Sequence, residues 1–226
     1  LILYYLLFLL SFSFLHNKLN NLFEYHAKRI PILPEVVSAE YLRDYMGNLK
    51  AIPVGVDKET LEIATMNLQE QLIFNITGED VSSEPDFINT LISIISNEPN
   101  TNCIVMDSLS ILNEPTKDNI TFSQETCYES IDTLESILEK SKNKAVTDNY
   151  VCFIIGISNL LTKLSAIEKG KFTTSIDESK NVSNIKYILI DNIDALKNIG
   201  YEAWYKSNAN MSSAIWIGNG ISNQFT

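Results

Sequence analysis

Five short apolar runs recur along the chain, each with a Gly, Asp or Asn at or near its end: LIFNITG at 72–78, CIVMDS at 103–108, VCFIIGI at 151–157, IKYILIDN at 185–192 and AIWIGNG at 214–220. Runs this short are strands rather than long helices, and their nearly continuous hydrophobicity is the pattern of strands covered on both faces. The stretches between them carry apolar residues at helical spacing. Strands alternating with helices predict an α/β fold, a mostly parallel sheet with helices on both faces and a ligand edge at the carboxyl ends of the strands. Those ends carry Gly78, Asp107, Gly156, Asp191 and Gly218.

The helical stretches have distinct signatures. One begins near Pro85 and places Phe87, Leu91, Ile94 and Ile95 on one side; another, Gln124 to Lys140, sets Tyr128, Ile131, Leu134 and Leu138 opposite Glu125, Glu129, Asp132, Glu135 and Glu139. A third runs from Ser158 to about Glu168, and the pair Asp191–Asn192 reads as a helix start before Ile193 to Lys197. The polar segment from Phe172 to Val182 reads as an exposed loop. Ahead of the main sheet, AIPVGVDKETLEIATMNL predicts two short strands joined by a turn at Asp57 to Glu59. Before that, Tyr41, Leu42, Tyr45, Met46 and Leu49 form a short helical pattern with Ser38 as its cap. The expected organisation is a lead-in, residues 1–50, packing on one domain, residues 51–226.

Composition narrows the function classes. With 17 Lys plus Arg against 28 Asp plus Glu the formal charge is −11, unsuited to a nucleic-acid surface. Arg29 and Arg43 are the only arginines, which removes the usual phosphate clamps. Cys103, Cys127 and Cys152 are widely spaced and lie among apolar residues, a pattern of buried reduced thiols rather than of a disulfide framework or a zinc site. The sequons at Asn75, Asn119, Asn181 and Asn210 are read as chance matches in an asparagine-rich chain. The run LILYYLLFLLSFSFL at 1–15 is shorter than the roughly 20 residues that cross a bilayer and lacks a basic flank. A start on Leu rather than Met reads as a fragment of a longer protein.

An α/β chain with this edge invites comparison with the phosphate loop G-x-x-x-x-G-K-S/T, whose backbone N–H groups and lysine hold phosphate. The corresponding stretch is GEDVSSEP, Gly78 to Pro85, with Ser83 for the second Gly, Glu84 for Lys and Pro85 for Ser/Thr. Ser83 lacks the freedom of glycine, Pro85 lacks a donor, and Glu79, Asp80 and Glu84 repel phosphate. Nucleotide binding in the standard pose is therefore disfavoured. Asp107 stands in sequence where a magnesium-coordinating acid follows a strand, or else caps a turn at the sheet edge.

These segments together resemble the third, C-terminal ATPase-like domain of the EssC family, FtsK/SpoIIIE-type membrane proteins of type VII secretion systems. The resemblance is carried by RIPILPE at 29–35, IPVGVDKET at 52–60, the strand and degenerate loop at 72–85, IVMDS at 104–108 and SAIWIGNGISNQF at 213–225. It implies a RecA-like P-loop NTPase fold on the cytoplasmic side of the cell membrane, in a machine that exports small helical proteins. Gly78, Ser83, Glu84 and Pro85 then align with the phosphate loop, Asp107 with the Walker B acid, Asp191 and Asn192 with the polar end of a later strand, and Gly218, Asn219 and Gly220 with a terminal glycine-rich motif. The glycines also suit plain turn geometry.

The resemblance further implies partners: the preceding ATPase modules, secreted type VII substrates and a homo-oligomer of the full-length protein, with no nucleic acid. No catalytic residue, metal or cofactor is expected in this domain, Mg-ATP being disfavoured by the loop. Two functions follow, a non-catalytic or weakly nucleotide-binding module that docks partners, or an ATP-hydrolysing motor domain. Tyr201, Trp204 and Tyr205 are the candidate partner-binding surface, with core packing as the alternative.

Overall fold

The computed structural model describes residues 32–218; the apolar run at 1–15, most of the lead-in, and Asn219 and Gly220 lie outside the described residues. The chain divides into two compact units, Leu1–Pro34 and Glu35–Thr226. The second begins earlier than residue 51. Leu42 and Leu49, both expected in the lead-in, are buried in its core.

That unit opens with α1 (Ala39–Arg43), capped as expected by Ser38, whose Oγ accepts from Tyr41 N at 3.1 Å. The helical pattern through Leu49 is interrupted after Arg43 and resumes only as a 3-10 turn, Asn48–Lys50. An antiparallel hairpin follows, β1 (Ile52–Val56) and β2 (Ile63–Met66), separate from the main sheet. Its turn hangs on Asp57, whose Oδ1 accepts from Glu59 N, Thr60 N and Thr60 Oγ1. These bonds satisfy turn donors that would otherwise face only water and fix the reversal.

The main sheet comprises β3 (Ile73–Gly78), β4 (Thr101–Asp107), β5 (Ile120–Gln124), β6 (Asn149–Ile155), β7 (Ile185–Asn192) and β8 (Ala209–Trp216), in the order β5-β4-β6-β7-β3-β8. Every pairing is parallel. All carboxyl ends therefore share one edge, as the strand pattern predicts.

Period-two alternation divides the strands between two cores. Phe74, Ile76, Val105, Phe153, Ile155, Ile188 and Ile190 face one side, covered by α2 (Pro85–Ile95), α1 and the hairpin. Ile104, Met106, Cys152, Ile154, Tyr187 and Leu189 face the other. There they meet α3 (Tyr128–Lys142), α4 (Ile157–Lys163), α5 (Ala166–Glu178), α6 (Ile193–Ile199) and α7 (Ala203–Lys206).

Three expectations are corrected. β5 is an additional strand; its burial is only partial, so the apolar signal that marks the central strands is missing. The helix expected at Ser158 to Glu168 is two helices, broken where Leu164 turns extended and Ser165 restarts the chain. The expected loop from Phe172 onward is helical to Glu178, started by a capping box in which Ser165 Oγ accepts from Glu168 N and Glu168 accepts from Ser165 N. Phe172 and Ile176, one turn apart, are fully buried together with Ser175, while Thr174 between them is exposed. That single narrow stripe is why the segment reads as polar.

Candidate functional site

The chain leaves β3 toward α2 on one face of the sheet and leaves the neighbouring β7 toward α6 on the other. A crevice between strand ends whose connections part in this way is where α/β sheets bind ligands. Gly78 ends one strand and Asn192 the other, paired in register.

The crevice is closed. After Gly78 the chain tightens into a 3-10 turn, Val81–Ser83, and enters α2 through Pro85. Four consecutive backbone donors are already bonded: Val81 N to Asn192 Oδ1 at 2.9 Å, Ser82 N to Asp80 Oδ1 at 3.0 Å, Ser83 N to Asp80 O at 3.4 Å and Glu84 N to Val81 O at 3.3 Å. Pro85 has no N–H to add. The Val81 side chain is fully buried beneath the turn, and the Ser82 and Ser83 hydroxyls both donate to Asp80. An anion-holding nest needs such donors convergent and free. Here they point into the protein's own acceptors, with Glu79 and Asp80 at the surface.

The β8 end closes the far side. Ile217 N donates to Thr77 O at 2.8 Å, and a Cβ on Gly78 would lie 2.5 Å from Ile217 O, so only glycine admits this approach. Gly218 has φ +86°, and a Cβ there would stand 3.6 Å from the Glu84 carboxylate. Gly78, Glu84, Asn192 and Gly218 thus lie in one neighbourhood at the ends of β3, β7 and β8.

Asp107 is not in it. Two strands, β6 and β7, separate β4 from β3, which places it roughly 14 Å across the sheet at about 4.8 Å per strand. It is fully buried, and its Oδ2 accepts from Leu112 N at 2.8 Å and from Gln124 Nε2 at 3.4 Å, while Oδ1 has no partner among the described residues. This carboxylate organises the turn after β4. Asp191 is likewise occupied: Oδ2 accepts from Ser158 N at 2.9 Å and Ser158 Oγ at 2.7 Å, and Oδ1 from Asn192 N. Its side chain anchors the first turn of α4, while α6 starts at Ile193 directly after the Asp191–Asn192 pair, as expected, with Asn192 at the cap position and no side-chain cap bond.

Between these two acids, Ser108 Oγ donates to Gly156 O at 2.6 Å, while Ser108 O accepts from Asn159 Nδ2 and Lys163 Nζ. Ser108, Ser158, Asn159 and Lys163 escape a motif search because their partners are 33 to 55 positions away. The only sequence hint is a hydroxyl residue just past a strand end.

The aromatic trio does not form a surface. Tyr201 is 91% exposed, but Trp204 and Tyr205 are 8% and 1% exposed and belong to the core beside α5. Their rings meet edge to face at 5.7 Å, and Tyr205 donates its hydroxyl to Asn75 Oδ1 at 3.0 Å. Burial pushes the Tyr205 phenol up to about 12. Of the three, Tyr201 alone is available to a partner.

All three cysteines are free and buried. Burial pushes the Cys103 thiol up to about 12 and raises Cys127 and Cys152 as well, so none is a ready thiolate. No cluster of metal-ligating side chains occurs among the described residues, nor any helix long and apolar enough to cross a membrane.

No protein-family model and no curated protein matches the chain. Solved structures do. The cytoplasmic domain of EssC superposes with a TM-score of 0.61 at 14% identity, over 90% of this chain and 45% of that one. EssC ATPases 2 and 3 from Geobacillus thermodenitrificans give 0.61 at 15%, over 86% and 41%. Thermomonospora curvata EccC ATPases 2 and 3, in complex with a signal sequence peptide, give 0.58 at 15%, over 84% and 40%. The chain spans less than half the length of each. Its architecture is that of the RecA-like ATPase domains in EssC and EccC.

Proposed function

We propose that this chain is a module of a type VII secretion motor on the cytoplasmic side of the membrane, catalytically silent and serving to dock protein partners and regulate the machine. The observation that carries the reading is the closed loop: the N–H groups of Val81 to Glu84 are all bonded within the protein, and no lysine stands in the loop. The RecA-like architecture supports a place beside ATPase modules, and the EccC structure with a signal sequence peptide supports secreted proteins as partners. Among the described residues, the loop from Gly78 to Pro85 leaves no free backbone donor from Val81 to Glu84 for the phosphates of Mg-ATP. Asp107, the acid that would serve the metal, is held in its own turn.

Calorimetry with Mg-ATP on the protein tests this. No binding in the micromolar range is expected; micromolar Mg-ATP binding accompanied by release of inorganic phosphate would establish the ATP-hydrolysing alternative instead. Partner docking is tested by pull-down with the cognate secreted proteins and with the preceding ATPase module, where at least one is expected to be retained. Retention of neither leaves a purely structural role.

A further inference from the structure

A groove of about 660 Å³ lies between α3 and α5, in the helical layer on the face of the sheet away from the hairpin. The two helices run side by side in the same direction and are tied at three levels. Tyr128 reaches the Glu168 carboxyl near their first turns, Lys171 pairs with Glu135 at 3.6 Å midway, and Lys142 pairs with Glu178 at their ends. The walls repeat at helical spacing: Asp132, Ser136 and Glu139 succeed one another on α3, and Gly170, Thr174 and Glu178 on α5. A third helix matches steps of this kind. Gly170 lies inside α5, where glycine is the weakest helix former after proline, and a Cβ added there would meet nothing within 4 Å. The fold has room for a side chain at this position and lacks one, which lowers the groove wall to bare backbone and opens it to close approach. At the N-terminal end of the two helices stand apolar side chains that the core leaves out, Ile167, 76% exposed and one turn ahead of Gly170, and Tyr128, 39% exposed.

Charge selects the occupant. The groove is lined by four carboxylates against two lysines, and both lysines are engaged with Glu178 and Glu135. Asp132 and Glu139 are exposed and have no ion-pair partner among the described residues. A second copy of this chain docked here by a two-fold axis would set the same acids against themselves, so the complementary surface is a cationic one. We propose that the α3–α5 groove docks a partner helix carrying lysine or arginine: an apolar side chain of that helix seats on Tyr128 and Ile167, its backbone lies close over Gly170, and its cations meet Asp132 and Glu139. The aliphatic and aromatic pair is the anchor, and the charges around it set orientation and partner choice. The inference rests on the docking half of the silent-module reading, to which it adds the surface and the chemistry of the partner.

The probe is a fluorescein-labelled, alanine-based helical peptide of about 15 residues with a leucine and several lysines on one face, titrated with the full chain at about 0.15 M salt and read by anisotropy. Saturable binding with a Kd on the order of 10 μM is expected. Asp132→Asn combined with Glu139→Gln is expected to weaken it by on the order of tenfold. Gly170→Gln, which substitutes a good helix former and fills the groove, is expected to weaken it as much while Tm stays unchanged or rises. Glu40→Gln combined with Glu59→Gln removes the same charge from exposed sites on α1 and the hairpin turn, and is expected to change binding by less than about twofold. Absence of binding by wild type, equal weakening by the two charge-removing pairs, or undiminished binding by Gly170→Gln overturns the groove. A pull-down in which wild type and Gly170→Gln retain a cognate partner equally also overturns the groove and leaves the docking reading intact. Retention of no cognate partner by wild type defeats that reading instead, so the two failures are distinguishable.

Discussion

At the carboxyl edge of the sheet, individual side chains direct their hydrogen bonds inward. Asp107 serves the turn after its own strand, Asp191 serves the helix after the neighbouring strand, and Asn192 serves the loop after the strand beyond. Gly156 shows how tightly this edge is drawn. It adopts φ +73°, and an added Cβ would stand 2.5 Å from Leu109 Cγ and 2.7 Å from Ser108 Oγ. Gly156→Ala is expected to lower unfolding stability by about 1–3 kcal/mol, combining a left-handed conformation with overpacking, as measured by urea denaturation. The residue types at this edge are readable from the sequence. Their partners are not, because Asp191 and Ser158 are joined only once β6 and β7 pair.

Among the elements, α5 and the β1–β2 hairpin give the sharpest tests. Phe172 is fully buried against the sheet, so Phe172→Ala is expected to cost about 3–5 kcal/mol, whereas a residue in an exposed loop would cost almost nothing. In the hairpin, bonds from Thr60 N, Thr60 Oγ1 and Glu59 N hold the Asp57 carboxyl below its ordinary value of 3.8. A depressed folded-state value means that the ionised carboxylate favours the fold. Its contribution is complete above the ordinary value and is lost as pH falls through the lowered one. Asp57 is therefore expected to titrate below 3.8 by NMR, and the stability difference between wild type and Asp57→Ala to shrink as pH falls below about 4. The elements that the sequence marks well are those with two buried faces or a broad apolar stripe. β5 and α5 fall outside because one is a partly buried edge strand and the other buries only a narrow stripe.

For the whole molecule, charge and topology act at different levels. A net charge of −11 disfavours a polyanion at any orientation. The protein is expected to show no retention of duplex DNA at physiological salt in a fluorescence-anisotropy titration; salt-sensitive binding would contradict this.

The chain by itself determined the parallel α/β class, because fully apolar strands separated by amphipathic helices have few other ways to bury both faces. It also determined that a glutamate and a proline stand where a phosphate loop carries lysine and a hydroxyl residue, which is a matter of covalent structure. Tertiary structure alone decided which strand ends are neighbours. Strand order 5-4-6-7-3-8 sets Asn192 beside Gly78 and leaves Asp107 two strands away. Helix packing alone decided that Trp204 and Tyr205 lie inside while Tyr201 stays outside. Side-chain identity limits what a residue can do; only the long-range pairing of the sheet and the helices packed on it settles which donor meets which acceptor.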